Sequence, residues 1–97
     1  MSNVRLTEIY GSGHGSSKVY SLRSIYINTS HVICLREDEP LKMLLSEGRL
    51  VDGMDKRQDF TRITINKSNL HEDIVVVGAI EEIQKKISSS NKEILRG

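Results

Sequence analysis

Gly11, Gly13 and Gly15 alternate with Ser12 and His14 and run on into Ser16, Ser17 and Lys18, a set of residues suited to holding an anion. Glycines let backbone amides approach a phosphate closely, and hydroxyls, imidazole and ammonium add further donors. The chemistry would be capture of a nucleotide or another phosphorylated small molecule, with the loop as a lid and His14, Ser16 and Lys18 as donors. The Walker loop and the dinucleotide fingerprint both place a helix N-terminus after the glycines, whereas residues 19–27 here carry a strand pattern. The same composition fits a loop that only closes a hairpin.

A second group, Lys56, Arg57 and Arg62, with Arg23 and Arg36 nearby in type, could contact nucleic-acid phosphates or a partner. Tyr10, Tyr20 and Tyr26 could stack bases on a sheet face, although tyrosines more often bury the ring and wet the hydroxyl. The overall charge supplies no general attraction to phosphate backbones: 14 Lys and Arg face 13 Asp and Glu, for a formal +1. A protein partner is therefore favoured over nucleic acid.

Other chemistry is sparse. His14, His31 and His71 lack the short spacing of a zinc ligand pair, so no metal and no cofactor is expected. Glu37, Asp38 and Glu39 could serve acid–base chemistry or a divalent ion, but consecutive carboxylates before a helix more commonly favour its positive end. Cys34 is the only cysteine, lies in an apolar run and reads as an inert buried thiol. With no nucleophile–base or metal spacing in view, the chain reads as a non-enzyme.

The elements that must position these residues follow from periodicity. Residues 4–10 alternate loosely as a first strand, residues 18–27 form a second, and residues 31–36 form a third after an Asn28-Thr29-Ser30 turn. Strands two and three are expected to pair antiparallel. Acidic residues and Pro40 precede Leu41, Met43, Leu44 and Leu45, marking a short helix that Gly48 ends. Residues 49–59 read as a polar surface loop, residues 60–66 as a fourth strand, and residues 67–73 as the turn into a last strand at residues 74–77. After Gly78 the apolar positions change to helical spacing at Ile80, Ile83 and Ile87. The run Ser88-Ser89-Ser90-Asn91 should end that helix before a tail carrying Ile94 and Leu95, which frays or docks on a partner.

The fold class is thus α+β and β-rich: one domain over residues 1–97, built as a small bent antiparallel sheet or open barrel of about five strands. A short inserted helix and a C-terminal amphipathic helix complete it. With 97 residues, 37% hydrophobic, three tyrosines, one phenylalanine and no tryptophan, the core must be aliphatic. Open sheet edges at this size favour a homo-oligomer. Arg5 and Glu8 near the start do not form a cationic leader, and no window reaches membrane-spanning length, so a cytoplasmic location without a membrane is expected.

The segments Asn28-Thr-Ser-His-Val-Ile-Cys-Leu35, Thr61-Arg-Ile-Thr-Ile65, Ile74-Val-Val-Val77 and Ala79-Ile-Glu-Glu-Ile-Gln-Lys-Lys-Ile87 together resemble the small FlbD-like proteins associated with flagellar and swarming motility. The shared pattern is an Asn-containing turn, a strand, a Thr-rich strand, and a closing strand followed by a Glu-rich helix. It extends over residues 26–87, interrupted by residues 37–59, where FlbD-like proteins pass directly from strand to strand. The Leu-rich insertion and Asp55-Lys-Arg-Gln-Asp-Phe60 also look like small accessory proteins of tailed phages related to the T-even group. These resemblances imply a regulatory or host-interaction role in a bacterium or its phage, in the host cytoplasm if phage-encoded.

Overall fold

Runs of β-branched residues bounded by glycine and polar turns make strands, and the five such runs here assemble into one antiparallel sheet. The computed structural model describes the backbone of residues 3–15 and 18–96 and side chains through Ser89. Strands β1 (Asn3–Ser12) and β2 (Val19–Asn28) form a hairpin. A 3-10 turn at Thr29–His31, capped by the Asn28 side chain accepting from the Ser30 amide, leads into β3 (Val32–Glu37). Helix α1 (Glu39–Ser46), β4 (Phe60–Lys67), β5 (Leu70–Val77) and α2 (Ile80–Arg96) follow.

The sheet order is β2-β1-β5-β4-β3, so the expected pairing of strands two and three does not occur: they are the two edges. Each pairs elsewhere. β2 pairs with β1 over ten residues without interruption, and β3 pairs with β4. The short link between opposite edges has a geometric consequence. Four interstrand steps in a flat sheet span ~19 Å, whereas the four Cα steps from Asn28 to Val32 reach at most ~14 Å. The sheet must curl to bring its edges together at that end.

Curling creates an inner and an outer face. Both edge strands contribute to the inner cluster, where Ile27 from β2 meets Leu6, Ile63, Ile65, Ile74 and Val76, with Val32 and Leu35 from β3 alongside. Helix α2 packs on this face and plugs it with Ile83, while Ile87 lies at the margin. On the outer face, Ile9 and Phe60 pack against Leu41 and Leu45 of α1. Residues 49–59 are less purely polar than their composition suggested, because Leu50, Val51 and Met54 fold back onto this second cluster.

The local signals for α1 operate as expected. Asp38 is the N-cap, Pro40 lies in the first turn, and Gly48, at φ 71°, ends the helix as its amide and that of Arg49 bond back to Leu45 and Leu44. β5 begins at Leu70, four residues before the apolar run. The polar stretch is held in the ladder by cross-strand contacts, including Thr64 Oγ1 donating to Asp73 Oδ1 at 2.7 Å and a Lys67–Glu72 ion pair. The turn is therefore only Ser68 and Asn69, with Ser68 in the left-handed region at φ 54°. Helix α2 runs through the serines to Arg96 rather than stopping at them. The Ile94 and Leu95 side chains proposed to dock lie outside the described residues.

Gly78 is the hinge between β5 and α2. Its φ of 136° strains any residue with a side chain, and a Cβ there would stand 2.9 Å from Ile83 Cδ1. The turn is secured by the Gly78 amide donating to the Asp59 carbonyl and by the Thr61 hydroxyl donating to the Gly78 carbonyl, both at 2.9 Å.

Candidate functional site

The Gly-rich segment is the tip of the β1–β2 hairpin. β1 pairs with β5 only at Glu8–Val76 and Ile9–Val75, so beyond Ile9 the hairpin is an arm paired only within itself. Gly11 still belongs to β1, opposite Tyr20, and a Cβ there would collide with Lys18 Cε and touch the Tyr20 ring. The absence of a side chain lets Lys18 cross the hairpin, its ammonium 5.6 Å from the Tyr20 ring centre. Gly13 and Gly15 adopt positive φ and, with His14, are exposed; the Lys18 amide donates to the Gly15 carbonyl at 3.3 Å. Ser16, another of the proposed donors, and Ser17 lie outside the described residues.

The basic residues separate in their roles. Arg57 lies on the loop before β4 and forks onto Asp55, with its Nη2 3.0 Å from Oδ2 and its backbone amide 2.9 Å from Oδ1. Asp55 is held below the ordinary carboxylate range first by the Arg57 side chain and then by that amide. Lys56 beside it is exposed. Arg62, on the outer face of β4, is committed to two carboxylates: Asp38 at 3.2 Å and Asp73 at 3.5 Å. The Asp38 side chain is fully buried and caps α1. Arg62 thus links the start of α1 to β5, and its charge is balanced within the fold.

A pH dependence follows. The Thr64 hydroxyl, and then Arg62, hold Asp73 below the ordinary carboxylate range. A depressed carboxylate adds stability above its unfolded pKa and loses it as pH falls through the folded value. The stability of the natural chain is therefore expected to decline below the usual Asp range, and Asp73→Asn is expected to flatten part of that decline. Urea unfolding from pH 6 downwards checks both; identical slopes for the two proteins would refute the link.

One surface feature was only partly visible in the sequence. On the edge strand β2, Leu22 is 41% and Tyr26 69% exposed; they lie on one face, flanking Ser24. On the other face of the hairpin, Arg23 Nε is 2.8 Å from Glu8 Oε1 and its guanidinium carbon lies 4.0 Å from the Tyr10 ring centre. Two of the three tyrosines are therefore occupied by cations, and Tyr26 is the one whose ring faces outward. The period of two along a strand, which sets Tyr20, Leu22, Ser24 and Tyr26 on one face, was the available signal. It could not say which strand would be an edge.

The larger recesses, of about 340–450 Å³, are open grooves along α2 and beside residues 55–59, and the more enclosed ones are small. One cavity of about 90 Å³ lies between the N-termini of the two helices near Lys42 and Asp59, and another of about 220 Å³ lies between β2 and the β4–β5 hairpin near His31 and Ile65. Both are smaller than the roughly 300–1,000 Å³ usual for small-molecule sites. Among the described residues, no three His, Cys, Asp or Glu groups are placed to hold a metal ion, and no helix is long and apolar enough to cross a membrane. Cys34 is half-buried on edge strand β3.

Compared with known proteins, the chain matches no family, no curated protein and no solved structure. The geometry itself defines a small α+β domain: a curled five-stranded sheet filled by its C-terminal helix and carrying a projecting hairpin.

Proposed function

We propose that this protein is a small non-enzymatic binding domain that acts through protein interaction, as a regulatory or accessory component in a bacterium or its phage. One observation carries this reading: β2 is a ten-residue strand at the sheet edge, with Leu22 and Tyr26 exposed on one face. Such a strand recognises another polypeptide by backbone pairing and side-chain register. The balanced charge, and the engagement of Arg62 by Asp38 and Asp73, supply little for a nucleic-acid backbone. The same reading has the protein act in the cytoplasm, without a membrane.

Two assays test it against the alternatives. In filter binding with single-stranded RNA and DNA, weak association is expected; tight, steeply salt-dependent binding would replace this reading with a nucleic-acid regulator. A thermal-shift screen with nucleotides tests sequestration by the Gly11–Lys18 loop. A ligand at a hundred times its dissociation constant adds about 2.7 kcal/mol of stability. No such shift is expected, and a clear one would favour a phosphorylated small molecule held by Gly13, His14, Gly15 and Lys18.

A further inference from the structure

We propose that β2 is a self-association edge on which a second copy of this chain docks antiparallel, about a two-fold axis through Ser24, to make one ten-stranded sheet. This rests on the protein-interaction reading and names the partner. Among the described residues no strand lies beside the outer side of β2, and alternate residues through its centre direct their backbone N–H and C=O groups there. The usual devices that blunt an edge are missing: the β1–β2 register is continuous, β2 has no proline, and its single charge, Arg23, is paired with Glu8.

The other edge is protected. β3 has only six residues, its register with β4 shifts between Val32 and Cys34, and it ends in Arg36 and Glu37 before the Asp38 cap. One open edge per chain lets association close at two copies, whereas two open edges would propagate a fibre.

The side chains of β2 complement themselves. A two-fold axis perpendicular to the sheet keeps each face on its own side, so Ser24 meets Ser24 of the second copy and Leu22 meets its Tyr26. The exposed leucine and tyrosine thus cover one another twice, as an aliphatic–aromatic cross-strand pair on each side of a small central residue. Arg23 falls opposite Ile25 of the second copy, and the cation nearest the axis is Arg5, which donates to the Ser24 hydroxyl at 3.3 Å. Residues 22–26 of each chain pair in this register, short of the end of β2, where Asn28 caps the turn that crosses to β3.

Sedimentation equilibrium of the full chain is expected to give the mass of two copies. Leu22→Lys combined with Tyr26→Lys is expected to give one copy with unchanged circular dichroism, because both side chains are exposed in the single chain. Ile33→Lys on the β3 edge is expected to leave the two-copy mass intact. Ser24→Cys in a Cys34→Ser background is expected to form a covalent pair on oxidation. A one-copy mass for the natural chain, a mass above two copies, or a two-copy mass that survives the double lysine variant without a Ser24→Cys crosslink would overturn the proposal. These outcomes are separable from failure of the broader reading. A single copy that ignores oligonucleotides and nucleotides rejects only the self-pairing, while tight salt-dependent oligonucleotide binding rejects protein interaction at any mass.

Discussion

Truncating Ile83 to alanine is expected to destabilise the protein by about 2–5 kcal/mol, the range for removing a fully buried aliphatic side chain and leaving a cavity. Ile83 has no solvent exposure and is the helical member of the inner cluster, where it contacts the aliphatic lining of the curled sheet. It also fills the space above Gly78, where a Cβ would stand 2.9 Å from its Cδ1. Its loss would therefore empty the centre of the cluster and the hinge that docks the helix. For a domain of this size each kcal/mol corresponds to roughly 4–8 °C in Tm, so the thermal transition should fall by more than about 8 °C. Ile83→Val should cost only about 1 kcal/mol. An alanine variant that melts with the natural chain would mean that α2 does not fill the sheet.

Replacing Asp38 with alanine is expected to cost about 2–3 kcal/mol at neutral pH, combining loss of a helix cap with loss of a carboxylate paired inside the fold. The cost stays below that of breaking a fully buried pair because the Arg62 side chain left behind is 38% exposed and still meets Asp73. Arg62→Ala should also destabilise, since it leaves the Asp38 carboxylate buried without its cation. The double variant should cost less than the sum of the two singles, as expected for residues in direct contact. Urea unfolding of the four proteins makes the measurement. If Arg62→Ala left stability unchanged while Asp38→Ala lowered it, Arg62 would be available to an external anion, as its position beside a basic loop first suggested.

The contrast between Arg62 and Lys56 illustrates what a sequence pattern conveys about a site. Basic residues close in sequence look like a cationic surface, yet β4 carries Arg62 to the buried Asp38, twenty-four residues away in the chain. The glycine-rich loop illustrates the same limit. Gly11 reads as a phosphate contact, but pairing opposite Tyr20 gives it a steric reason to lack a side chain. In both cases the deciding neighbour lies on another strand or element.

Local signals were sufficient wherever the determining forces act within a few residues. The β-branched run at Ile74–Val77, the Gly78 hinge, the helical spacing of Ile80, Ile83 and Ile87, and the acidic cap with Pro40 each prescribed an element through sterics, hydrogen bonding or amphipathicity. Strand order lay beyond their reach. Alternation says that a strand has two faces without naming its neighbours, so the assignment of β2 and β3 to opposite edges emerged only from pairing between distant segments, β2 with β1 and β3 with β4. The same nonlocal choice extended β5 back to Leu70, curled the sheet around Ile83, neutralised Arg62 and left Leu22 and Tyr26 on an open edge. Composition and periodicity determined that a small aliphatic α+β domain would form; which surface it offers was decided by pairing between distant segments, because backbone hydrogen bonds and buried charges take their partners from the folded chain.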